Sequence, residues 1–340
     1  MNDCAGPSAT LRAIGSIACL TFACLVASSG CEERPSVPRL RYTVLLVGTH
    51  AGDPTWQALQ AGASRFARDA PSLDIRKELP GSPTPVAQKA LLDTVGRESG
   101  VHAVSILACD AKVLVQPVTR LIADGIPVIL VGDDARQTRR SAFVGVDEMA
   151  VGRLLIQTFA SMSKEHRTLM VVHDNRGSER SAKRFDGVRR ELAIHPDITM
   201  LREFDCLGQA TRALQTLRET SERYPNLGGW ILLDDWLDAE PSGAPLVHGS
   251  PKIISYGAHP GNFRHLESGR VHALVGGDWE AVGYRVMQSC LALLNRSAFP
   301  VTDERLPPVV VTRTDLDAYR KKWAHWVFST TSRATSVPAR

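Results

Sequence analysis

The sequence predicts an α/β protein of two doubly wound lobes. Three observations carry this. Short apolar runs alternate with amphipathic segments from Thr43 to Thr312, the rhythm of parallel strands joined by helices. Two of the runs, TVLLV at Thr43 to Val47 and TLMVV at Thr168 to Val172, open units of similar layout, with Gly62 fifteen residues after Val47 and Gly187 fifteen after Val172. The 340 residues suffice for two lobes of roughly 100 to 150 residues each.

Thr43 to Val47 is a buried parallel strand by its unbroken apolar character. Gly48 and Gly52 loosen the chain after it, Asp53 is placed to cap a helix, and Pro54 suits the first helical position, where no N–H is needed. Trp56, Leu59, Ala63, Phe66 and Ala67 then recur at helical spacing. Strands at Leu73 to Lys77, Ala103 to Leu107, Pro127 to Val131 and Ala142 to Val146 alternate with helices at Val86 to Arg97 and Lys112 to Ala123. A helix from Glu148 to Met162 leads into the second series. There, strands at Thr168 to Val172, Ile198 to Phe204, Gly229 to Leu233, Lys252 to Tyr256 and Val271 to Val275 follow. Helices fall around Phe185 to Leu192, Gln209 to Glu222, Pro260 to Ser268 and Trp279 to Leu294, and Val309 to Thr312 is the last strand. Glu240 to Gly249 is rich in proline and glycine and reads as a loop. The lobes are Rossmann-like, and ligands of such sheets bind at the carboxyl ends of the strands.

Composition narrows the function classes. Hydrophobic residues make up 44% and charged residues 22%, which fits a globular chain rather than disorder or a polytopic membrane protein. The net charge of +4 is spread without a basic block, so no nucleic-acid partner is expected. No GxSxG elbow, HExxH pair or GxxxxGK[ST] loop occurs, and the histidines His50, His173 and His259 lack metal spacing. No enzyme activity, metal or cofactor is expected.

The amino terminus reads as a targeting segment. Arg12 precedes an apolar run from Ala13 to Ala27, and Ser28-Ser29-Gly30 supplies small residues before Cys31. The pattern resembles a bacterial lipoprotein signal over residues 1–30, with Cys31 as the lipidated first residue. It departs from that pattern at Ser28, where leucine is usual; secretion with cleavage nearby is the alternative. Residues 31–40 read as a polar tether. Of seven cysteines, Cys109, Cys206 and Cys290 remain in the globular part, far apart in sequence, as three buried thiols or one disulfide and a thiol.

Several local patterns, in order, resemble the ribose and galactose type of periplasmic sugar-binding proteins, also called type I periplasmic binding proteins. GTHAGDPTWQALQAGA is similar to that family's first strand-to-helix turn, DGIPVILVGDDA to its strand before a ligand aspartate, FVGVDEMAVGRLL to its hinge segment, and RSAKRFDGV to the pattern in which an arginine three residues before glycine reaches the ligand. The resemblance covers roughly residues 41–323. It implies two lobes joined by a three-segment hinge, one of 41–146 plus 278–308 and the other of 147–277 plus 309–328, with 329–340 a flexible tail. The crossings fall near Val144 to Asp147, Val275 to Asp278 and Leu306 to Val309.

The resemblance also implies the site. Asp53 and Trp56 come from the first loop, Asp134 (or Asp133) from the fourth strand, and Arg184 and Asp234 from the second lobe. Carboxylates and arginine bond hydroxyls directionally, and an indole packs on the apolar face of a pyranose. Each has a plainer alternative: Trp56 as core, Asp53 as a helix cap, Arg184 as a helix-surface ion pair, Asp234-Asp235 as a solvated turn pair. Gly132, Gly257 and Gly277 stand where the family commonly has polar ligand contacts, so ribose itself is not implied, and Trp236, His259 and Trp279 are placed to reshape the pocket. The implied function is capture of a sugar or sugar-like polyol by hinge closure, for delivery to an ABC transporter permease. The protein would act as a monomer held at a membrane by lipid on Cys31, on the periplasmic side or secreted. Service to a membrane sensor is the alternative. An exported carbohydrate-active enzyme, with Asp134 and Asp234 as an acid pair, is a further one.

Overall fold

Strands buried on both faces need near-continuous apolar runs, and the chain supplies eight of them in two sets of four, each set completed by a more polar edge strand. A computed structural model describes residues 41–174, 179–240, 245–296, 301 and 303–331. The leader 1–30, Cys31, the tether and the tail beyond Thr331 lie outside the described residues.

The first sheet contains β1 (Tyr42–Val47), β2 (Leu73–Glu78), β3 (Ala103–Leu107), β4 (Val128–Val131) and β5 (Ala142–Val146), with α1 (Pro54–Asp69), α2 (Pro85–Asp93) and α3 (Val115–Ala123) between them. α4 (Glu148–Met162) then carries the chain to β6 (Thr168–His173), α5 (Glu179–Ala193), β7 (Thr199–Asp205), α6 (Ala210–Arg223), β8 (Gly229–Leu232), β9 (Lys252–Tyr256), α7 (Pro260–Glu267) and β10 (Ala273–Gly277). α8 (Trp279–Leu294) leads to β11 (Glu304–Leu306), which is followed by β12 (Pro308–Thr312) and α9 (Leu316–Thr331). One sheet has the order β11-β5-β4-β3-β1-β2 and the other β12-β10-β9-β8-β6-β7. The two orders are the same winding used twice. All pairings are parallel except β10 with β12, which is antiparallel. The chain thus passes between the sheets after β5, after β10 and after β11.

Several expectations shift. α3 begins at Val115 rather than Lys112, because Ala111 to Leu114 form a turn closed by Leu114 N on Ala111 O. α2 ends at Asp93, with a separate 3₁₀ turn at Arg97–Ser99. β11 and α9 were not legible as elements. α9 rests on α1 as well as on α7 and β12, so residues 309–328, assigned by sequence to the second lobe alone, touch both. Its Lys322 Nζ donates to Asp278 Oδ2 at 2.7 Å, at the head of α8.

The equal offset of Gly62 and Gly187 has a physical cause. A Cβ on Gly62 would lie 1.8 Å from the Glu280 carbonyl oxygen of α8, and one on Gly283 would lie 1.9 Å from the Leu59 carbonyl oxygen of α1. In the other lobe a Cβ on Gly187 would lie 2.1 Å from Met149 O, and one on Gly152 1.9 Å from Arg184 O. Each lobe therefore has one close helix crossing, α1 with α8 and α5 with α4, made at a reciprocal glycine pair. Each crossing is also tied by charge. Arg65 donates to Glu280 at 2.6 Å, and Arg184 Nε donates to Glu148 Oε2 at 2.5 Å, with Arg180 Nε on Glu148 Oε1 at 3.1 Å. Arg65 is half-exposed, so that pair contributes little. Arg184 and Glu148 are buried, their side chains 1% and 5% exposed.

Burial alone would push the Glu148 carboxyl up, but the Arg184 and Arg180 charges outweigh it and hold it below its usual range. A carboxyl depressed in the folded state adds stability that is present above its unfolded pKa and is lost as pH falls through the lower folded value. Glu148→Gln leaves Arg184 buried without its counter-charge and should cost about 3 kcal/mol or more at pH 7. The Gln variant should also lack the part of the wild-type acid destabilisation that sets in below the ordinary glutamate range. Urea midpoints of both proteins from pH 7 down to pH 3 check this.

Gly62→Ala and Gly152→Ala should each cost at least about 2 kcal/mol, since the obstructing atoms are backbone. Gly81→Ala, where a Cβ meets nothing within 4 Å, should change stability far less. Chemical denaturation of the three variants side by side is the measurement.

Candidate functional site between the two sheets

The carboxyl ends of both sheets carry the polar loops. On the first lobe the loop after β1 is shaped by Asp53, which caps α1: its Oδ1 accepts from Thr55 N at 2.8 Å and its Oδ2 from Thr49 Oγ1. Trp56 follows in the first turn and is 3% exposed, its six-membered ring lying against Gly48, where a Cβ would come within 2.5 Å of it. The indole is a core side chain in this state. The loops after β1 and β3 are pinned together by Gln88, which is fully buried: its Nε2 donates to Gly48 O at 2.9 Å and Leu107 O at 2.8 Å, and its Oε1 accepts from Cys109 N at 3.0 Å. Sequence reading passed Gln88 over, although it sits four residues before Leu92, the other buried side chain of α2.

After β4, Gly132 adopts φ +77 and turns the chain into Asp133 and Asp134. Asp133 Oδ2 accepts from Ala111 N at 3.0 Å, and burial pushes its carboxyl above the usual range. Asp134 is 8% exposed and is held by Arg140 through bonds of 2.5 and 2.8 Å. Arg140 in turn holds Asp303, just before β11, at 2.7 and 2.8 Å. Asp134 thus ties the β4 loop, through Arg140, to the start of β11 rather than standing free.

On the second lobe, Arg184 is used inward. Beyond Glu148 it donates from Nη1 to Leu233 O at 2.8 Å and to Asp234 Oδ1 at 3.2 Å, and its guanidinium lies 3.7 Å over the Tyr256 ring. The helix-surface alternative does not describe it, because the whole side chain is buried. Its Nη2 is buried and has no hydrogen-bond partner among the described residues. Asp234 remains partly open, its side chain 30% exposed. Trp236 is 4% exposed and belongs to the core. His259 caps α7 through Nδ1, and its Nε2 meets Asp235 Oδ2 at 2.5 Å. Burial would raise Asp235, yet His259 and Asn262 hold it below the usual carboxylate range.

One pocket is lined from both lobes. Asp133, Asp134 and Arg305 contribute from the first, Glu148, Arg180 and Lys183 from the second. Asp133 lies within electrostatic reach of Arg180. Of the residues singled out by sequence, Asp133 and Asp134 line this pocket, and Arg184 lies behind its Glu148. Asp53, Trp56, Asp234, Trp236 and His259 are not among its lining residues. Asp53 and Asp110 instead flank Cys109, whose half-buried thiol is pushed up by burial and by their charges. Cys109, Cys206 and Cys290 are all free thiols, which removes the disulfide alternative for these three. Among the described residues no group of three or more His, Cys, Asp and Glu side chains is placed to hold a metal ion.

Comparison with known proteins agrees with this architecture. No curated protein matches the sequence. Solved structures resemble it closely in fold at low identity. A solute-binding protein of an ABC transporter from Burkholderia graminis, in complex with D-arabinose, has a TM-score of 0.69 at 16% identity, covering 84% of this chain and 99% of its own. An arabinose binding protein from Geobacillus stearothermophilus has a TM-score of 0.72 at 18% identity, covering 82% and 99%. A third, from Agrobacterium vitis and bound with alpha-D-tagatopyranose, has a TM-score of 0.68 at 20% identity, covering 84% and 99%. The model of the periplasmic binding protein domain matches residues 44–298, which is most of the chain and takes in the first two of its three crossings, so the protein belongs to the periplasmic binding protein family, with the type I fold.

Proposed function

We propose that the protein is an extracytoplasmic receptor that captures a sugar or sugar-like polyol between its lobes and delivers it to an ABC transporter. What supports this reading is a narrow polar gap between the lobes, about 20 Å³ in this arrangement and so able to take a sugar only when the lobes part, with the carboxylates of Asp133 and Asp134 on one wall and Arg180 and Lys183 on the other. Acceptors facing donors suit a ligand whose hydroxyls both give and receive hydrogen bonds. A ligand touching both walls binds the closed arrangement more tightly than the open one, and so drives closure. Related folds with bound D-arabinose, D-allose, alpha-D-tagatopyranose and myo-inositol support the ligand class.

Within this proposal Asp133 and Asp134 line the site and Arg184 supports it from behind Glu148, Asp53, Asp234 and His259 belong to loops at the same sheet edges outside that lining, and Trp56 and Trp236 pack in the core. Lipid on Cys31 would hold the receptor, as a monomer, near its membrane partner; two anchoring signals or one lipid with further contacts are needed for stable attachment. No helix among the described residues is long and apolar enough to cross a membrane.

A thermal-shift screen of the full-length chain against D-arabinose, D-ribose, D-allose, D-tagatose, D-galactose and myo-inositol tests the proposal. A ligand present at ~100 times its dissociation constant adds about 2.7 kcal/mol to the folded state, which raises the melting temperature by roughly 5 °C for a chain of this size. At least one compound is expected to do so. No shift with any of them, at millimolar concentration, contradicts the reading.

A further inference from the structure

The loop after β8 contains a carboxylate that the structure arranges with unusual care. Asp235 Oδ1 accepts from Asn262 Nδ2 at 2.7 Å, and its Oδ2 meets His259 Nε2 at 2.5 Å. Asn262 is itself fully buried and fixed by Gly257 O at 2.8 Å. Two side chains from the start of α7 therefore set the plane of one carboxylate. Gly257, directly after β9, makes the room. It adopts φ +107, and a Cβ there would lie 2.5 Å from Asn262 Nδ2 and 2.7 Å from Asp235 Oδ1. The carboxylate thus fills the volume that a side chain at 257 would occupy.

A turn carboxylate that only solvates a loop has no need of such fixing. The Asp235 side chain is nonetheless 33% exposed, at the carboxyl edge of the sheet, where this fold binds ligands. An ionised carboxylate has about four acceptor positions; the described residues fill two. In the same lobe, Arg184 Nη2 is a buried donor with no hydrogen-bond partner among the described residues. It belongs to the guanidinium whose charge reaches Asp235. A part-exposed acceptor held in one orientation, with positions to spare, matches a hydroxyl that donates to it.

We propose that Asp235 is a ligand-contact residue of the second lobe, receiving hydroxyl hydrogens of a polyol, with His259 and Asn262 as its positioning residues. Gly257 is the residue that admits the carboxylate. The proposal rests on the polyol-receptor reading above and adds a specific contact to it.

The test is isothermal titration of full-length wild type, Asp235→Asn, His259→Gln and Gly257→Ala with D-arabinose, D-ribose, D-allose, D-tagatose, D-galactose and myo-inositol, each variant first matched to wild type by its ligand-free melting curve. Asp235→Asn is expected to weaken the binding compound at least tenfold. His259→Gln, which keeps a donor for the carboxylate, should weaken it less than Asp235→Asn does. Gly257→Ala should weaken it by displacing the carboxylate. Should Asp235→Asn fail to fold, Asp235→Glu, with the charge kept and the carboxylate moved by one methylene, carries the same tenfold expectation. Wild-type binding with an unchanged dissociation constant in the Asp235 variant overturns this inference alone. Absence of binding by wild type to every compound overturns the receptor reading, and this inference with it.

Discussion

The structure depends on two helix crossings in which backbone meets backbone. Where α1 passes α8 and where α5 passes α4, glycines on both partners remove the side chains that would hold the helices apart. α8 and α4 are the helices that begin at the second and first chain crossings, so each crossing is fastened at once to the lobe it enters. The buried pair of Glu148 and Arg184 fastens the second lobe further. Fixing the helices in this way leaves the short links, Asp147, Asp278 and Pro307, as the places where the chain can bend between lobes.

The same fastening explains where the polar side chains go. Arg184 is placed by α5 to reach Glu148, Leu233 O, Asp234 and Tyr256 together, which joins the hinge helix, two strand ends and the first helix of the lobe. On the other lobe Asp134, Arg140 and Asp303 join the β4 loop to the start of β11, the strand that leads into the third crossing. Charges that sequence alone would assign to a ligand are here also structural, and a ligand entering the cleft would meet loops already held by these networks. α9, resting on α1 and on α7, spans the joint from outside.

Much of the fold was legible because its signals are local. The apolar run of β1 and the Asp53-Pro54 start of α1 sit where sequence placed them, and α8 has the limits its periodicity gives, since these features are fixed within a few residues of chain. β11 was not legible: its three residues, Glu304, Arg305 and Leu306, owe their extended form to pairing with β5. The site was less legible still. Whether a tryptophan at the head of a helix faces ligand or core depends on what lies opposite, and opposite Trp56 lies Gly48. Gln88 escaped notice, and Asp235 read only as half of a solvated turn pair, because their partners lie 40 and 27 residues away. Such partnerships leave no periodic trace.

Under the proposed function, two rigid lobes close on a ligand about short links. Small-angle X-ray scattering of the full-length protein, with and without a saturating sugar or polyol from the thermal screen, tests it most directly. Closure gives a smaller radius of gyration with ligand, and the ligand-free value persists in variants that bind nothing. A radius of gyration unchanged by a ligand that binds would contradict closure as the mechanism, leaving a preformed pocket in its place.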